Sequence, residues 1–397
     1  MIKLGNNKNL GCQDVNPIMT AYYNKKGFEF NGFNIDTYMR FFTDNGVKAL
    51  KKTNFKEVNN NEKIKSKFCK FKHFNALSSG QADIFLLYSL EKVNKKCHNK
   101  FYLDPKELSL LVTSEKAFKY LKKNNSDLLK FIFNNVFSIG KKHFNKATFQ
   151  KENNILKLIT RERKKDFSNY LTLSIDDQKD LNKGKEFIVN YLGTHKDDTI
   201  VMEYLSKGGN YIELFNAITI VNYFKSDIHG LLRVFENILL AVKFLHHVGI
   251  CHGDIKAENI FISTNKEVKI IDFGGSEFCK IREKKKRVRF QYGTNLSTAP
   301  EIYKFTFVDG VKADLWSLGV LLYSMHSSCS PYTVQDPSKD FCFKKITEND
   351  MLFTKNFSNL IKPIVKGLMT YDPSQRFDMD TALKMTRSAM KNCSPIN

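Results

Sequence analysis

The chain has 397 residues, 42% of them hydrophobic, with 34 Phe and one Trp, which suits one large or two ordinary domains and excludes a disordered polypeptide. Lys and Arg outnumber Asp and Glu, 63 to 41, so the net charge is +22; spread over the whole length, it is compatible with acidic partners without specifying any. The eight cysteines form no C-x-x-C pair, which argues against a disulfide framework or zinc site and for free thiols in a reducing compartment.

The start, MIKLGNNKNLGC, has no apolar core of signal-peptide length. The most apolar stretch, 238–250, is broken by Lys243, His246 and His247, so no membrane span is expected. Cytoplasm or nucleus is the expected location. Residues 1–131 are basic and carry no catalytic signature. Phe85, Leu86, Tyr88, Leu90 and Val93 fall at helical spacing, as do Leu108, Leu111, Phe118 and Leu121, and Asp104-Pro105 resembles a helix start. The spacing predicts a mostly helical N-terminal extension.

From about 132 the pattern changes to short runs read as strands: VFSIG, KATFQ, NILKLIT, FIVNYL and TIVMEYL. After Gly208-Gly209 helical patterns dominate, at 227–248, 312–326 and 357–370. The expectation is an α+β, two-lobed fold: a small β-rich lobe over about 132–204 and a large helical lobe over about 205–390, with a hinge near 204–210.

The most informative stretch is His252-Gly253-Asp254-Ile255-Lys256-Ala257-Glu258-Asn259, followed thirteen residues later by Asp272-Phe273-Gly274. Each motif adjoins an apolar, strand-like run. Together they resemble the catalytic loop and D-F-G motif of eukaryotic-type protein kinases. Phosphoryl transfer needs a carboxylate beside the accepting hydroxyl and metal ligands to neutralise the triphosphate. The resemblance implies ATP and Mg²⁺ as cofactors, with Asp254 orienting the hydroxyl, Lys256 meeting the γ-phosphate, and Asn259 and Asp272 holding the metal. The run GDIKAENIFI is also similar to kinases of large DNA viruses.

Small-molecule kinases of the aminoglycoside and choline type share the H-G-D triplet. The later motifs discriminate: Ala299-Pro300-Glu301, Asp314-Leu315-Trp316-Ser317-Leu318-Gly319 and Asp372-Pro373-Ser374-Gln375-Arg376 resemble the protein-kinase set. That set implies a Glu301–Arg376 pair and an Asp314 that steadies the catalytic loop. Lys256 and Thr294 are the serine/threonine-type choices. Gly253 stands where most kinases carry the Arg that pairs with an activation-segment phosphate, so phosphate-driven ordering is not expected. Residues 279–289 hold seven basic side chains and one acidic, which predicts protein substrates acidic around the target Ser or Thr.

Two stretches compete for the glycine-rich loop over the phosphates, 77–83 and 139–147. The choice falls on 139–147, because Ile155-Leu156-Lys157 resembles the V-A-I-K strand and lies only 17 residues after Gly140. The resemblance then implies nucleotide contacts from Ile139, Gly140, Lys141 and Ala147, with Lys157 on the α- and β-phosphates and Asp176 or Asp177 as its acidic partner. Val201-Met202-Glu203-Tyr204-Leu205 resembles the hinge strand. It implies Met202 as gatekeeper, the backbone of Glu203 and Leu205 on adenine, Asn210 on ribose, and Phe261 as a further nucleotide contact. A pseudokinase scaffold is the alternative from another class, motivated by the missing glycines and the missing helix Glu. A nucleic-acid-binding role has no supporting motif.

Overall fold

The computed structural model describes residues 69–70, 77–79, 82–88, 137–205, 211–219 and 221–393, apart from 222, 225, 264, 282–283 and 291–295. These fall into two compact units: 69–157 with Val189–Tyr211, and Leu158–Ile188 with Ile212 onward.

The first unit is built on one antiparallel sheet. Its strands are β1 (Cys69–Lys70), β2 (Leu77–Ser79), β3 (Ala82–Tyr88), β4 (Phe137–His143), β5 (Tyr191–His195) and β6 (Thr199–Glu203). They run in the order β1-β3-β4-β6-β5, with β2 also on β3. Strand β4 is central, with Gly140 opposite Phe85 on one side and Val201 on the other. Leu87 and Val201 are fully buried, with Leu192 packed on them. Each such side chain contributes about 1.5–3 kcal/mol.

This sheet corrects the sequence reading twice. Phe85, Leu86 and Tyr88 lie on strand β3 rather than on a helix, and the sheet draws three strands from residues before 132. A short apolar run satisfies both periods, and only pairing along its length decides. The Leu108–Leu121 pattern lies outside the described residues.

The second correction follows β4. KATFQ and NILKLIT, read as strands, form one helix, α1 (Lys146–Arg163). Asn145 caps it: its Oδ1 accepts from Ala147 N at 2.7 Å and its carbonyl from Phe149 N at 3.1 Å. Phe149, Glu152, Asn153, Leu156 and Ile159 are buried at spacings of three and four, and that face outweighs the strand preference of Thr148, Ile155 and Thr160. No loop exists at 139–147, since Ile139, Gly140 and Lys141 sit within β4 and Ala147 in the first turn of α1.

The second unit is mainly helical: α2 (Ile175–Gly184), α3 (Leu214–Thr219), α4 (Ile228–His247), α5 (Pro300–Lys304), α6 (Gly310–Ser327), α7 (Phe341–Thr347), α8 (Lys362–Leu368) and α9 (Met379–Lys391). Helices α4 and α6 match the expected patterns and are buried almost all round, as helices at the centre of a unit must be. Helices α2 and α9 pack on α4, and α8 on α6. Among the described residues no helix is long and apolar enough to cross a membrane.

Small strands set the loops that matter. β9 (Ile260–Ser263) lies between β10 (Val268–Ile270) and β7 (Tyr211–Glu213), while β8 (Ile250–Cys251) pairs with β11 (Glu277–Phe278). The 252–259 loop leaves β8 and enters β9, and 271–276 leaves β10 and enters β11. Two short pairings therefore hold these loops side by side.

Candidate active site

Within the 252–259 loop, Asp254, Lys256 and Asn259 converge. Lys256 Nζ lies 2.7 Å from Asp254 Oδ2, and Asn259 Nδ2 donates to both Asp254 O and Asp254 Oδ2 at 2.9 Å. The Asp254 side chain is 29% exposed, open enough to meet an incoming hydroxyl. Both donated bonds use the Asn259 amide nitrogen, which leaves the side-chain oxygen as the atom that could serve a hard cation.

His252 is fully buried beneath this group. Its Nε2 contacts Ile271 O at 3.1 Å, and a carbonyl only accepts, so Nε2 carries the proton and Nδ1 accepts from Asp254 N at 3.3 Å. Asp314, near the start of α6, accepts from His252 N at 2.8 Å and Gly253 N at 2.9 Å, with His246 Nε2 at 2.8 Å. A carboxylate 1% exposed with three such partners fixes the loop backbone. His246, Cys251 and Asp314 stand close enough to hold a metal, but those bonds already occupy Asp314.

Asp272 follows β10 with φ of +61°, a left-handed conformation that Asp and Asn adopt more readily than bulkier residues. Its Oδ1 accepts from Gly274 N at 3.1 Å. Phe273, fully buried, packs its ring on His252 at 5.2 Å between centroids. Asp272 and Asn259 together offer a carboxylate and an amide oxygen, a donor set fitted to Mg²⁺.

Gly253 has φ of +75°, and a Cβ there would lie 2.5 Å from the Phe290 ring and 2.6 Å from Gly275 O. A side chain at this position would be strained by the backbone and would have to displace the Phe290 ring and Gly275 O. Farther along, Glu301 and Arg376 form a buried bidentate pair at 2.7 and 3.1 Å, the arrangement expected from the sequence. The segment between is tied down as well: Ser317 Oγ donates to Ser297 O at 2.7 Å, and Gln335 Nε2 to Thr298 O at 2.6 Å. Thr294 lies outside the described residues.

The first unit holds a separate constellation. On β4, Lys141 Nζ contacts both oxygens of Glu152 on α1, at 3.1 and 2.9 Å, and both residues are buried. Lys157 does not take that place. It sits exposed on α1, within a helix rather than on a strand. Asp176 and Asp177 are equally displaced: both open α2, and Asp177 pairs with Lys243 at 2.6 Å. Ile139 and Gly140 flank Lys141 on β4. Met202 and Leu205 are buried at and just after the end of β6, where Glu203 N donates to Asn190 O at 2.9 Å. Phe261, on β9, is half-buried. Asn210 lies outside the described residues. Glu152 escaped the sequence reading, although a single acid on the buried face of an amphipathic segment was a usable signal.

Comparison with known proteins adds the remaining finding. A family model described as the protein kinase domain matches residues 141–386. The chain is 34% identical over 197 residues to CBL-interacting serine/threonine-protein kinase 5 of Arabidopsis thaliana, covering 49% of this chain and 42% of that protein. It is 31% identical over 186 residues to CBL-interacting protein kinase 11 of Oryza sativa subsp. japonica, covering 47% and 36%. The chain thus spans less than half the length of these relatives.

Proposed function

The chain belongs to the protein kinase domain family, and we propose that it transfers the γ-phosphate of ATP to serine or threonine hydroxyls of protein substrates. The observation that carries this reading is the Asp254–Lys256–Asn259 cluster, rigidly backed by Asp314. Asp254 aligns the acceptor hydroxyl and takes its proton as the new phosphate ester forms, while the bond from the γ-phosphorus to the bridging oxygen breaks and ADP leaves. Lys256 offsets negative charge on the phosphoryl group in flight. Asn259 and Asp272 would hold Mg²⁺, which would supply charge neutralisation for the phosphate oxygens.

In this reading Lys141, held by Glu152, takes the role that the sequence assigned to Lys157. The pair removes one motive for a pseudokinase, since the acidic partner missing from the sequence reading is present on α1. The Glu301–Arg376 pair and the Asp314 anchor support a protein acceptor over a small molecule. Lys284, Lys286, Arg287 and Arg289 are exposed, while Lys280 turns back onto His247 O at 3.1 Å. Those four exposed cations favour substrates acidic around the target residue.

The test is ATP turnover on a mixed protein substrate with phosphoamino-acid analysis. Asp254→Asn is expected to lower kcat by at least about a hundredfold while binding ATP normally, because it removes the base without touching the metal. Asp272→Asn keeps the left-handed backbone and is expected to lose both turnover and Mg²⁺-dependent ATP binding. Wild-type turnover in Asp254→Asn, or phosphotyrosine as the sole product, would overturn the proposal.

A further inference from the structure

Glu152 has a second basic neighbour. His143 Nε2 lies 3.2 Å from Glu152 Oε2, the same oxygen that Lys141 Nζ meets at 2.9 Å. The His143 side chain is 3% exposed and that of Glu152 is 0%. Lys141 and His143 are two apart on β4, so a strand directs both to one face. The residue is held by its backbone on two sides and by a ring contact on a third. His143 pairs with Ala82 on β3, its backbone N donates to Asp198 O at 2.8 Å, and its edge meets Phe149 from the first turn of α1 at 5.9 Å.

If this position only filled space, an apolar side chain would serve better, since burying an imidazole nitrogen costs free energy that a Leu does not incur. Here Nε2 makes no aligned hydrogen bond among the described residues, yet it sits at ion-pair distance from a wholly buried carboxylate. Such a carboxylate needs compensation on each exposed lone pair. When Lys141 turns part of its charge toward phosphate oxygens, Glu152 loses part of its compensation. A second donor within reach holds the carboxylate where it is.

We propose that His143 is a positioning residue: its contact keeps Glu152, and through Glu152 the Lys141 ammonium, set for the nucleotide phosphates. The inference rests on the reading of Lys141 as the nucleotide lysine.

The experiment measures steady-state kinetics of the full chain with ATP varied and then with protein substrate varied. His143→Leu keeps bulk and removes the nitrogen; His143→Gln returns an amide nitrogen near the Nε2 position. For Leu, KM for ATP is expected to rise and kcat/KM for ATP to fall by about tenfold, with KM for protein substrate unchanged. Gln is expected to recover most of that loss. A Leu variant with wild-type ATP kinetics overturns the inference, as does a Gln variant damaged as badly as Leu. Should Leu fail to fold, Gln is compared with His143→Asn, whose amide falls short of Glu152; equal ATP KM in those two also overturns it. Lys141→Met separates the two levels. Full turnover in that variant sinks the assignment of Lys141 itself, whereas loss there beside an unaffected His143→Leu sinks only the role of His143.

Discussion

Burial and the neighbouring Glu258 carboxylate push the Glu213 acid up to about 7. The folded chain therefore holds this proton more tightly than the unfolded chain does. The resulting stability is complete below the ordinary carboxylate range and is lost as pH rises through about 7. Replacing Glu213 with Gln keeps the shape and removes the penalty. Glu213→Gln is predicted to melt higher than wild type at pH 8.5, by a few degrees for about 1 kcal/mol, and to match it below pH 5. Thermal melts at both pH values test this, and an equal gap at each would exclude titration as the cause. That Asp254, Lys256 and Asn259 stand on one loop was legible in the sequence, because their motif is short and bounded by apolar runs. Lys141 and Glu152 were not. Their pairing spans a strand and a helix, and the three-residue match at Ile155-Leu156-Lys157 was too short to fix a strand.

Among the elements, the segment after Asp272 is held by packing. Val288 and Val308 exchange backbone hydrogen bonds at 2.9 Å, Lys286 N donates to Cys279 O at 2.8 Å, and Phe290 lies over Gly253. With Gly253 in place of a cation, this ordering draws on apolar contact and backbone bonds. Phosphatase treatment is accordingly predicted to leave turnover unchanged. A large loss, recovered by rephosphorylation within 275–298, would show that a phosphate orders the segment instead. Helices α4 and α6 could be read from their periodicity because they are long and their pattern repeats over several turns. Helix α1 could not, since its β-branched residues imitate strand composition and its boundary is set by the Asn145 cap, which a single Asn does not announce.

For the molecule as a whole, two lobes with β-rich and helical character were legible from the change in pattern along the chain. The first boundary was not, because strands β1–β3 lie far from β4 in sequence and a sheet leaves no local mark of such pairing. The charge of +22 leads to a prediction about substrate choice under the proposed function. An acidic-flanked peptide is predicted to be preferred at low salt, with the preference shrinking near 0.15 M salt, where screening acts over about 8 Å. Changing Lys284, Lys286 and Arg287 together to Ala should flatten it. A peptide-library scan at two salt concentrations decides, and selection of basic flanks by the wild type would refute the idea.

The helical unit is tied together from its far end. Arg376 closes on Glu301 across 75 residues, and Arg387 on α9 reaches back to Asp180 and Glu236 on α2 and α4. A ribosome delivers these two arginines after every carboxylate that they neutralise. Until they emerge, Glu301 would be a bare charge in an apolar interior, a state that costs about 3–5 kcal/mol when a buried pair loses one member. The nascent chain therefore cannot bank a finished large unit part-way through translation. Helix α9 acts as the clasp, and a stop codon anywhere before Arg376 should leave a product for the cell's proteases rather than a shortened enzyme.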